Sequence, residues 1–295
     1  MLPTTRPLGS TGIDVSSVGL GAGKIGGPDV SDADVDRLLG RAADAGVTLV
    51  DTARSYGLSE ERLGRALAGR RDRWVVSTKL GYGVPRVADW TPASVTAGVD
   101  GALARLRTDR IDIVHLHSCD RDTLAHAGVV EALVAATRAG KVRVAAYSGE
   151  GEALSWAVAS GAFGAIQCSV SPVDQGVIDG AVAAAAARGL GVLAKRPLGN
   201  TPWRFTDRPA AGDVAEAWDR FRALALDAGG MAWAELFARF SAHAAGVSAI
   251  LVGTANADHL DDVVRAVARG PLAPDRANAL RHAWRARGGA WPGRV

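Results

Sequence analysis

Residues 47–81 read VTLVDTARSYGLSEERLGRALAGRRDRWVVSTKLG and hold one complete strand–helix–strand unit. The runs 47–52 and 74–81 are largely apolar and rich in valine and threonine, a composition typical of buried strands. Between them, residues 59–69 carry apolar side chains at helical spacing, begin with serine and end with glycine. Because a helical crossover returns the chain to the same edge of a sheet, this unit predicts two parallel strands.

Eight apolar runs of this kind occur along the chain, and a stretch with helical periodicity follows most of them. This alternation favours an α/β fold in which a parallel sheet closes into a (β/α)8 TIM barrel, here a single domain over residues 1–295. Residues 7–15 resemble a β-hairpin that plugs the bottom of the barrel, and residues 274–289 predict a C-terminal helix with a frayed, basic tail. The eight runs are VSSVGLG (15–21), VTLVDT (47–52), WVVSTKLG (74–81), IDIVHLHS (111–118), VRVAAYSG (142–149), AIQCSV (165–170), GVLAKRP (191–197) and AILVGT (249–254).

The charge and cysteine content argue against several classes of protein. The 34 basic and 31 acidic residues give a net charge of +3 and are interspersed along the predicted helices, whereas nucleic-acid-binding proteins cluster their basic residues. Two cysteines, Cys119 and Cys168, are too few for a disulfide framework. The first residues lack the apolar core of a signal peptide, and no apolar run approaches the roughly 18 residues of a membrane span. We therefore expect a cytoplasmic protein that binds neither nucleic acid nor membrane.

Polar side chains stand at the carboxyl ends of three successive predicted strands, where barrels of this kind carry their active sites. Asp51 ends the apolar part of the second run, and Tyr56 follows in the loop. Lys79 lies near the end of the third run, and His117 lies near the end of the fourth. We expect these four side chains to form one cluster.

The four residue types suit one another chemically. A free phenol has a pKa of about 10, too high for easy proton exchange at neutral pH, and a neighbouring ammonium favours the phenolate. Asp51 would keep Lys79 charged and oriented, and a histidine beside the phenol can position a carbonyl oxygen. The cluster therefore predicts Tyr56 as a general acid that protonates an oxygen gaining negative charge.

Five motifs, over roughly residues 5–270, resemble the aldo-keto reductase family in their order and spacing. The resemblance implies a (β/α)8 barrel that binds NADP(H) in extended form at its mouth, with NAD(H) as the alternative cofactor. It also implies reduction of an aldehyde or ketone group of a small molecule, with hydride from the nicotinamide. The motifs are DTARSYGLSEERLGRAL (51–67), STKLG (77–81), RTDRIDIVHLHS (107–118), AGKVRVAAYSG (139–149) and VGTANADHLDDVV (252–264).

The resemblance assigns roles to the residues at the strand ends. The family's catalytic tetrad corresponds to Asp51, Tyr56, Lys79 and His117, with Tyr56 as the proton donor. His115 shares a face of its strand with His117, and we expect it to be buried in a barrel layer rather than catalytic.

Further positions are expected to line the cofactor and the substrate. Ser148 and Gln167 correspond to residues that hold the nicotinamide carboxamide, and residues 253–262 correspond to the loop and helix that receive the adenosine 2′-phosphate. The walls of the substrate pocket are predicted at Trp90, Ser118, Cys119 and Trp203. The full set of predicted cofactor contacts is Gly21, Ala22, Asp51, Ser148, Gln167, Lys195, Arg196, Gly253, Thr254, Asn256 and His259.

The chain departs from the family pattern at three positions. Gly149 stands where the family has an asparagine that contacts the carboxamide, and Lys195 where it has an aromatic ring that stacks on the nicotinamide. His259 stands where an arginine usually grips the 2′-phosphate. These departures motivate an alternative, an NADP(H)-binding barrel with a non-redox or regulatory role. The complete tetrad opposes it, because a pure binding module needs no tuned phenol.

Other patterns point to different chemistry. The stretch GLGAGKIGG (19–27) has the glycine spacing of neither the dinucleotide fingerprint nor the phosphate-binding loop. His115 and His117 resemble the His-x-His pair of zinc hydrolases, but such sites need ligands on later strands, so we predict no metal site. Lys195 stays open as a lysine that forms a Schiff base. The long segment 198–213 predicts a lid or substrate wall, with a plain surface excursion as the alternative.

Overall fold

The computed structural model describes residues 3–210, 212–289 and 291–293, and within them eight parallel strands close into a barrel. The strands are β1 (Thr5–Pro7), β2 (Asp14–Ser16), β3 (Val18–Gly21), β4 (Leu49–Asp51), β5 (Val75–Leu80), β6 (Ile111–His117), β7 (Val142–Ser148), β8 (Ala165–Ser169), β9 (Gly191–Lys195) and β10 (Ala249–Gly253). Strands β3 to β10 follow one another around the barrel, which closes where β10 pairs with β3. Each predicted apolar run contains one of these strands, so the (β/α)8 architecture is confirmed.

Helices follow the barrel strands, and side chains at their first turns define where several begin. Ser31 and Thr91 each form a capping box with the residue three positions later. None of the helices in the described ranges is long and apolar enough to cross a membrane. The helices are α1 (Asp32–Asp44), α2 (Ser59–Ala66), α3 (Pro92–Leu106), α4 (Arg121–His126), α5 (Val129–Arg138), α6 (Gly151–Ser160), α7 (Ala183–Ala187), α8 (Gly212–Leu224), α9 (Trp233–Ala242), α10 (Ala257–Ala268) and α11 (Pro274–Arg287). The last of them is the predicted C-terminal helix.

The N-terminal hairpin closes the amino end of the barrel, as predicted. β1 and β2 pair in antiparallel fashion, and Gly9 forms a bridge to Leu190, the residue just before β9. Leu8 is fully buried with the apolar side chains of the barrel interior. Gly191 leaves room for it, because a Cβ at position 191 would overlap the Leu8 side chain. Because the hairpin covers the amino end of the barrel, the face available for a functional site is the one at the carboxyl ends of the strands.

Inside the barrel, an apolar layer gives way to a polar layer toward the carboxyl ends of the strands. Alternate residues of a strand face the same side, so buried Leu49 is followed by Asp51 on β4, and Ile113 by His115 on β6. The polar layer continues on β7, β8 and β9 with Ser148, Gln167 and Lys195. The register of neighbouring strands thus gathers polar groups at the mouth of the barrel.

The segment after α11 packs against the protein. Trp291 contacts Trp284 with ring centroids 5.5 Å apart, and the Arg220 guanidinium lies 5.4 Å from the Trp291 ring. Arg220 also donates to the carbonyl of Pro292 at 2.7 Å. The prediction of a frayed tail is therefore wrong for residues 291–293, whose packing depends on side chains from α8 and α11, whereas Arg294 lies outside the described residues.

Candidate active site

A buried ion pair joins β4 to β5 at the mouth of the barrel. The ammonium of Lys79 donates to Asp51 Oδ2 at 2.5 Å and to the carbonyl of Thr52 at 2.9 Å. The Lys79 side chain is only 1% exposed. Burial alone would lower the pKa of Lys79, but the Asp51 carboxylate and the Tyr56 phenol outweigh it and raise the pKa above its ordinary value. The lysine is therefore a fixed positive charge.

The second oxygen of the Asp51 carboxylate makes two further hydrogen bonds, one to β5 and one to β8. Oδ1 accepts from the hydroxyl of Ser77 at 2.8 Å and from the amide of Gln167 at 3.0 Å. Gln167 in turn accepts from the hydroxyl of Ser148 at 3.0 Å. A single hydrogen-bonded network therefore connects the predicted catalytic carboxylate with two predicted cofactor residues.

Tyr56 lies in the turn between β4 and α2, beside this ion pair. The Lys79 ammonium is 5.0 Å from the centre of the Tyr56 ring. On another side, the rings of Tyr56 and His117 meet edge-on, with centroids 6.4 Å apart and an interplanar angle of 85°. The structure thus brings together Asp51, Tyr56, Lys79 and His117, the four side chains that the sequence predicts as one cluster.

The glycine-rich stretch after β3 allows the Tyr56 turn to approach closely. Gly26 faces the backbone of Tyr56, and a Cβ at position 26 would overlap the Tyr56 carbonyl oxygen. The carbonyl of Gly26 accepts from the backbone N–H of Leu58 at 3.2 Å. Gly57 has a φ of +56°, a conformation that favours glycine. Close packing of the two turns therefore explains Gly26 and Gly57 without a phosphate-binding role.

The two histidines of β6 are both uncharged but occupy different surroundings. Burial lowers the pKa of His115 to about 4, and this side chain is fully buried beside Ser77, as expected. Burial, together with the positive charges of Lys79 and Lys195, lowers the pKa of His117 to about 3. Among the described residues, no group of three or more histidine, cysteine or acidic side chains is placed to hold a metal ion. Because its low pKa leaves the imidazole uncharged at neutral pH, His117 carries one ring proton.

Tyr82, a residue that the sequence reasoning missed, contacts His117 directly. Its hydroxyl oxygen lies 2.8 Å from Nδ1 of His117, and the two rings are stacked at 22° with centroids 5.6 Å apart. The Tyr82 ring also contacts the Trp90 ring, with centroids 5.6 Å apart. Tyr82 follows the STKLG motif directly, and this position just after a strand end could have marked it as a candidate site residue.

A second buried ion pair lies across the mouth from the first. The Lys195 ammonium is 3.4 Å from Glu150 Oε1, which also accepts from the backbone N–H of Ser169 at 2.7 Å. Burial raises the pKa of Glu150 and lowers that of Lys195, and in each case it outweighs the attraction between the two groups. At neighbouring Gly149 a Cβ would overlap the hydroxyl of Tyr147, so the backbone there is closely packed.

The four predicted substrate-wall residues lie in different environments. Trp90 packs beside Tyr82, next to the tetrad. Ser118 follows β6 and donates to the carbonyl of Ser148 at 3.3 Å, whereas Cys119 is 5% exposed and burial raises the pKa of its thiol to about 12. Trp203 joins an aromatic cluster with two residues of α9, Trp233 and Phe237, the latter at 4.7 Å.

The long segment after β9 is partly ordered by this aromatic cluster. Residues Pro202–Arg204 form a 3-10 turn, and α8 begins at Gly212, one residue before the predicted end of the loop. Phe205 is 41% exposed, and its carbonyl accepts from the Trp218 indole at 3.1 Å. Ala211, within the predicted loop, lies outside the described residues.

The predicted nicotinamide side of the cofactor site combines close-packed glycines with polar strand ends. Gly21 and Gly253 are paired, and a Cβ at position 21 would lie 3.2 Å from the Gly253 Cα. Ala22 is fully buried, and its backbone N–H donates to the carbonyl of Asp51 at 2.8 Å. Arg196 has a φ of +52°, and one of its nitrogens donates to Ser169 Oγ at 3.2 Å.

The predicted 2′-phosphate side is the start of α10. Thr254 Oγ1 accepts from the backbone N–H of Asn256 at 3.0 Å, and Asn256 Oδ1 accepts from the backbone N–H of Asp258 at 2.8 Å, which caps the helix. His259 is exposed in the first turn. Arg41 of α1 reaches this turn, but it is paired with Asp258, at 3.1 Å, and with Asp261.

Sequence comparisons agree with this architecture. Residues 17–285 match the model of the aldo/keto reductase family. A 6-dehydroglucose reductase of Novosphingobium aromaticivorans is 35% identical over 153 residues, which are 48% of this chain and 50% of that protein. An L-galactose dehydrogenase of Arabidopsis thaliana is 36% identical over 127 residues, or 40% of this chain and 39% of that protein. The chain thus spans half or less of the length of these curated relatives.

Solved structures extend the similarity over most of the chain. A putative aldo-keto reductase from Pseudomonas aeruginosa is 32% identical, covers 90% of this chain and 94% of its own, and superposes with a TM-score of 0.73. An aldo-keto reductase from Bacillus halodurans in its holo form is 22% identical, covers 98% of this chain and 97% of its own, and has a TM-score of 0.85, which supports the fold. Because the family model matches nearly the whole barrel, this chain belongs to the aldo/keto reductase family.

Proposed function

We propose that this protein is an NAD(P)H-dependent oxidoreductase that reduces aldehyde or ketone groups of small molecules to alcohols. The observation that carries the proposal is the buried Lys79 ammonium, which Asp51 holds beside the Tyr56 ring, with neutral His117 on another side of that ring. A phenol, a fixed cation and a neutral imidazole suit the delivery of a proton to a carbonyl oxygen.

The residues at the mouth fit a nicotinamide cofactor. Ser148 and Gln167 hydrogen-bond to each other, yet the hydroxyl oxygen and the amide each keep capacity for a further partner, such as a carboxamide. Gly21 and Gly253 present bare backbone beside them. A bound reduced nicotinamide supplies hydride to the carbonyl carbon, and every other task in the reaction belongs to side chains of the protein.

Tyr56 donates its phenolic proton to the oxygen that gains charge as the carbonyl carbon is reduced. The positive charge of Lys79 stabilises the phenolate that remains, and Asp51 keeps that charge in place. His117, at the end of β6, orients the carbonyl oxygen. Removal of the hydroxyl of Tyr56 should therefore stop the chemistry while the cofactor contacts stay intact.

We propose sugar-derived aldehydes and ketones as the first substrates to examine. Two relatives, a 6-dehydroglucose reductase and an L-galactose dehydrogenase, act on sugar-type molecules. The rings of Tyr82 and Trp90 lie next to the four clustered side chains, where they offer apolar surface. Ser118, Cys119 and Trp203 complete the proposed substrate walls, although Trp203 would act through the loop that it anchors.

NADP(H) is the proposed cofactor, with NAD(H) as the alternative. Exposed His259 is the only histidine or cation between residues 253 and 262. Arg41 is engaged by Asp258 and Asp261. A 2′-phosphate would therefore rely on the start of α10 and on His259. We also propose a cytoplasmic location, which the two free, buried cysteines favour.

One observation favours a second candidate, an NADP(H)-binding barrel with a non-redox or regulatory role. Lys195, which stands in place of an aromatic platform for the nicotinamide, is held by Glu150 in a closely packed corner. In such a barrel the cofactor would bind, but no hydride would leave it. The two candidates therefore differ in turnover rather than in binding.

The test is a titration of the purified protein with NADPH and, separately, NADH, followed by quenching of tryptophan fluorescence, for which the eight tryptophans provide the signal. Binding is then followed by mixing with a panel of sugar aldehydes and ketones while the absorbance of the reduced nicotinamide is recorded. We expect binding and oxidation of at least one cofactor. Binding without oxidation would favour the regulatory barrel, and no binding of either cofactor would overturn both candidates.

A further inference from the structure

The contact between Tyr82 and His117 points to a role for a residue outside the tetrad. We propose that Tyr82 is a positioning residue that keeps the single ring proton of His117 on Nε2, so that Nε2–H faces the substrate carbonyl oxygen. The consequence for catalysis rests on the proposed carbonyl reduction. The location of the proton does not, and it can be measured in the protein alone.

Polar and ring contacts hold the Tyr82 side chain in place. Its oxygen lies 2.8 Å from His117 Nδ1 and 3.2 Å from Ser55 Oγ. Its ring also contacts the imidazole of His117 and the indole of Trp90, each with centroids 5.6 Å apart. Trp90 itself rests on Gly81, where a Cβ would overlap the indole. Two ring contacts and two polar contacts therefore place the Tyr82 hydroxyl beside Nδ1 of His117.

The polarity of the contact follows from relative acidity. A phenol, with a pKa of about 10, is a good donor, and an imidazole nitrogen whose conjugate acid has a pKa of about 6.5 is a good acceptor. A serine hydroxyl is a much weaker base than that nitrogen. The Tyr82 hydroxyl thus has two acceptors within reach, Ser55 Oγ at 3.2 Å and His117 Nδ1 at 2.8 Å, and its proton favours the nearer and more basic nitrogen. The opposite polarity, with Nδ1–H donating to the phenol oxygen, would pair a weaker donor with a weaker acceptor.

The other nitrogen of His117 is left for a ligand. Within the described parts of the chain, no hydrogen-bond partner contacts Nε2. The imidazole is neutral at ordinary pH and carries one ring proton. If that proton is on Nε2, Nδ1 carries none, and if it is on Nδ1, Nε2 carries none. Nε2–H can donate to one lone pair of a carbonyl oxygen while Tyr56 donates to the other. A bare Nε2 would instead repel that oxygen.

The direct test is nitrogen NMR of the 15N-labelled protein without cofactor, with the His117 ring signals assigned by their loss in His117→Gln. We expect a protonated, pyrrole-type Nε2 and a bare, pyridine-type Nδ1 in the wild type. In Tyr82→Phe part of the population should place its proton on Nδ1, so the Nδ1 signal should move toward the pyrrole-type value and the Nε2 signal toward the pyridine-type value. A pyrrole-type Nδ1 in the wild type, or no movement in the variant, would overturn the proposal. The wild-type spectrum decides the polarity even if a variant folds poorly.

The matched control is Tyr147→Phe, which also removes one phenolic hydroxyl. The Tyr147 hydroxyl donates to the carbonyl of Cys119 at 2.7 Å and does not contact the imidazole. Its loss should leave both nitrogen signals of His117 unchanged.

The kinetic test measures kcat/KM for carbonyl reduction together with the Kd of the reduced cofactor. Tyr82→Phe should lower kcat/KM about 3- to 10-fold, the loss expected for one hydrogen bond, with the Kd unchanged. An unchanged kcat/KM would overturn the catalytic part of the proposal. If the wild-type protein oxidises no cofactor with any carbonyl, the proposed function fails, and the nitrogen spectrum still decides the role of Tyr82.

Discussion

Gly26 lies directly against the carbonyl of Tyr56, so closely that a Cβ at position 26 would overlap the carbonyl oxygen. The contact links the turn after β3 to the turn after β4, and the Gly26 carbonyl accepts from Leu58 N–H at 3.2 Å. The proposed proton donor is therefore placed by the backbone of a neighbouring turn as well as by its own loop.

The first prediction concerns Gly26→Ala. The added methyl must push the Tyr56 turn outward, so we expect a loss of about 1–3 kcal/mol in the free energy of unfolding, as for other overpacked sites, and a fall in kcat. Urea unfolding and steady-state kinetics measure both. Gly40→Ala in α1, where a Cβ would meet open space, is the control and should be neutral or stabilising. Equal behaviour of the two variants would contradict the packing role of Gly26.

The second prediction concerns the buried pair of Lys79 and Asp51. Lys79→Met leaves the Asp51 carboxylate buried without its cation, which should cost about 3–5 kcal/mol in the free energy of unfolding. The double variant Lys79→Met/Asp51→Asn should recover part of that loss but no turnover. The exposed pair of Lys141 and Asp100, joined at 2.6 Å, is the control, and Lys141→Met should cost less than about 1 kcal/mol. If the double variant loses as much free energy of unfolding as the two single substitutions added together, the coupling between Lys79 and Asp51 is contradicted.

The third prediction concerns the acid side of the stability curve. The pKa of His115 is lowered to about 4 in the folded protein from its ordinary value of 6.5. Between these two values the unfolded chain binds the extra proton, so stability falls as the pH falls, with a limiting slope of about 1.4 kcal/mol per pH unit from this group. Above pH 6.5 the group contributes no pH dependence. Denaturation of His115→Gln from pH 7 to 4.5 should show a shallower decline than the wild type, and parallel curves would contradict it.

The fourth prediction concerns cofactor preference. His259→Arg puts a permanent positive charge on the exposed first turn of α10, where the 2′-phosphate is expected. We expect the Kd of NADPH to fall about 2- to 5-fold, in keeping with an exposed ion pair, while the Kd of NADH stays the same. Fluorescence titration measures both constants. An equal change for the two cofactors would mean that the phosphate binds elsewhere.

The barrel and the cluster of Asp51, Tyr56, Lys79 and His117 were predictable because they depend on local patterns. Each strand is an apolar run followed by polar residues, and the parallel register brings neighbouring strand ends together. Asp51 and Lys79 therefore meet because they end adjacent strands, β4 and β5. The hairpin plug was predictable for the same reason, since its turn residues and its apolar residues lie within a few positions of one another.

The rest depends on long-range packing that no local pattern encodes. Tyr82 reaches His117 because Gly81 and Gly83, with φ of +129° and +73°, turn the loop back over the mouth. Glu150, just after β7, and Lys195, at the end of β9, meet at the end of β8 although no local pattern around either residue predicts the contact. The sequence predicts Lys195 as a cofactor contact, with a Schiff-base lysine left open, and in the structure the Lys195 ammonium is held by the buried Glu150 carboxylate.

We propose Tyr56 as the proton donor in carbonyl reduction. The most direct measurement compares wild-type protein with Tyr56→Phe for the rate of cofactor oxidation by a carbonyl substrate and for the Kd of the cofactor. The account predicts a rate at least about 100-fold lower, the usual scale for loss of a general acid, with a nearly unchanged Kd. A Tyr56→Phe protein that retains wild-type turnover would contradict it.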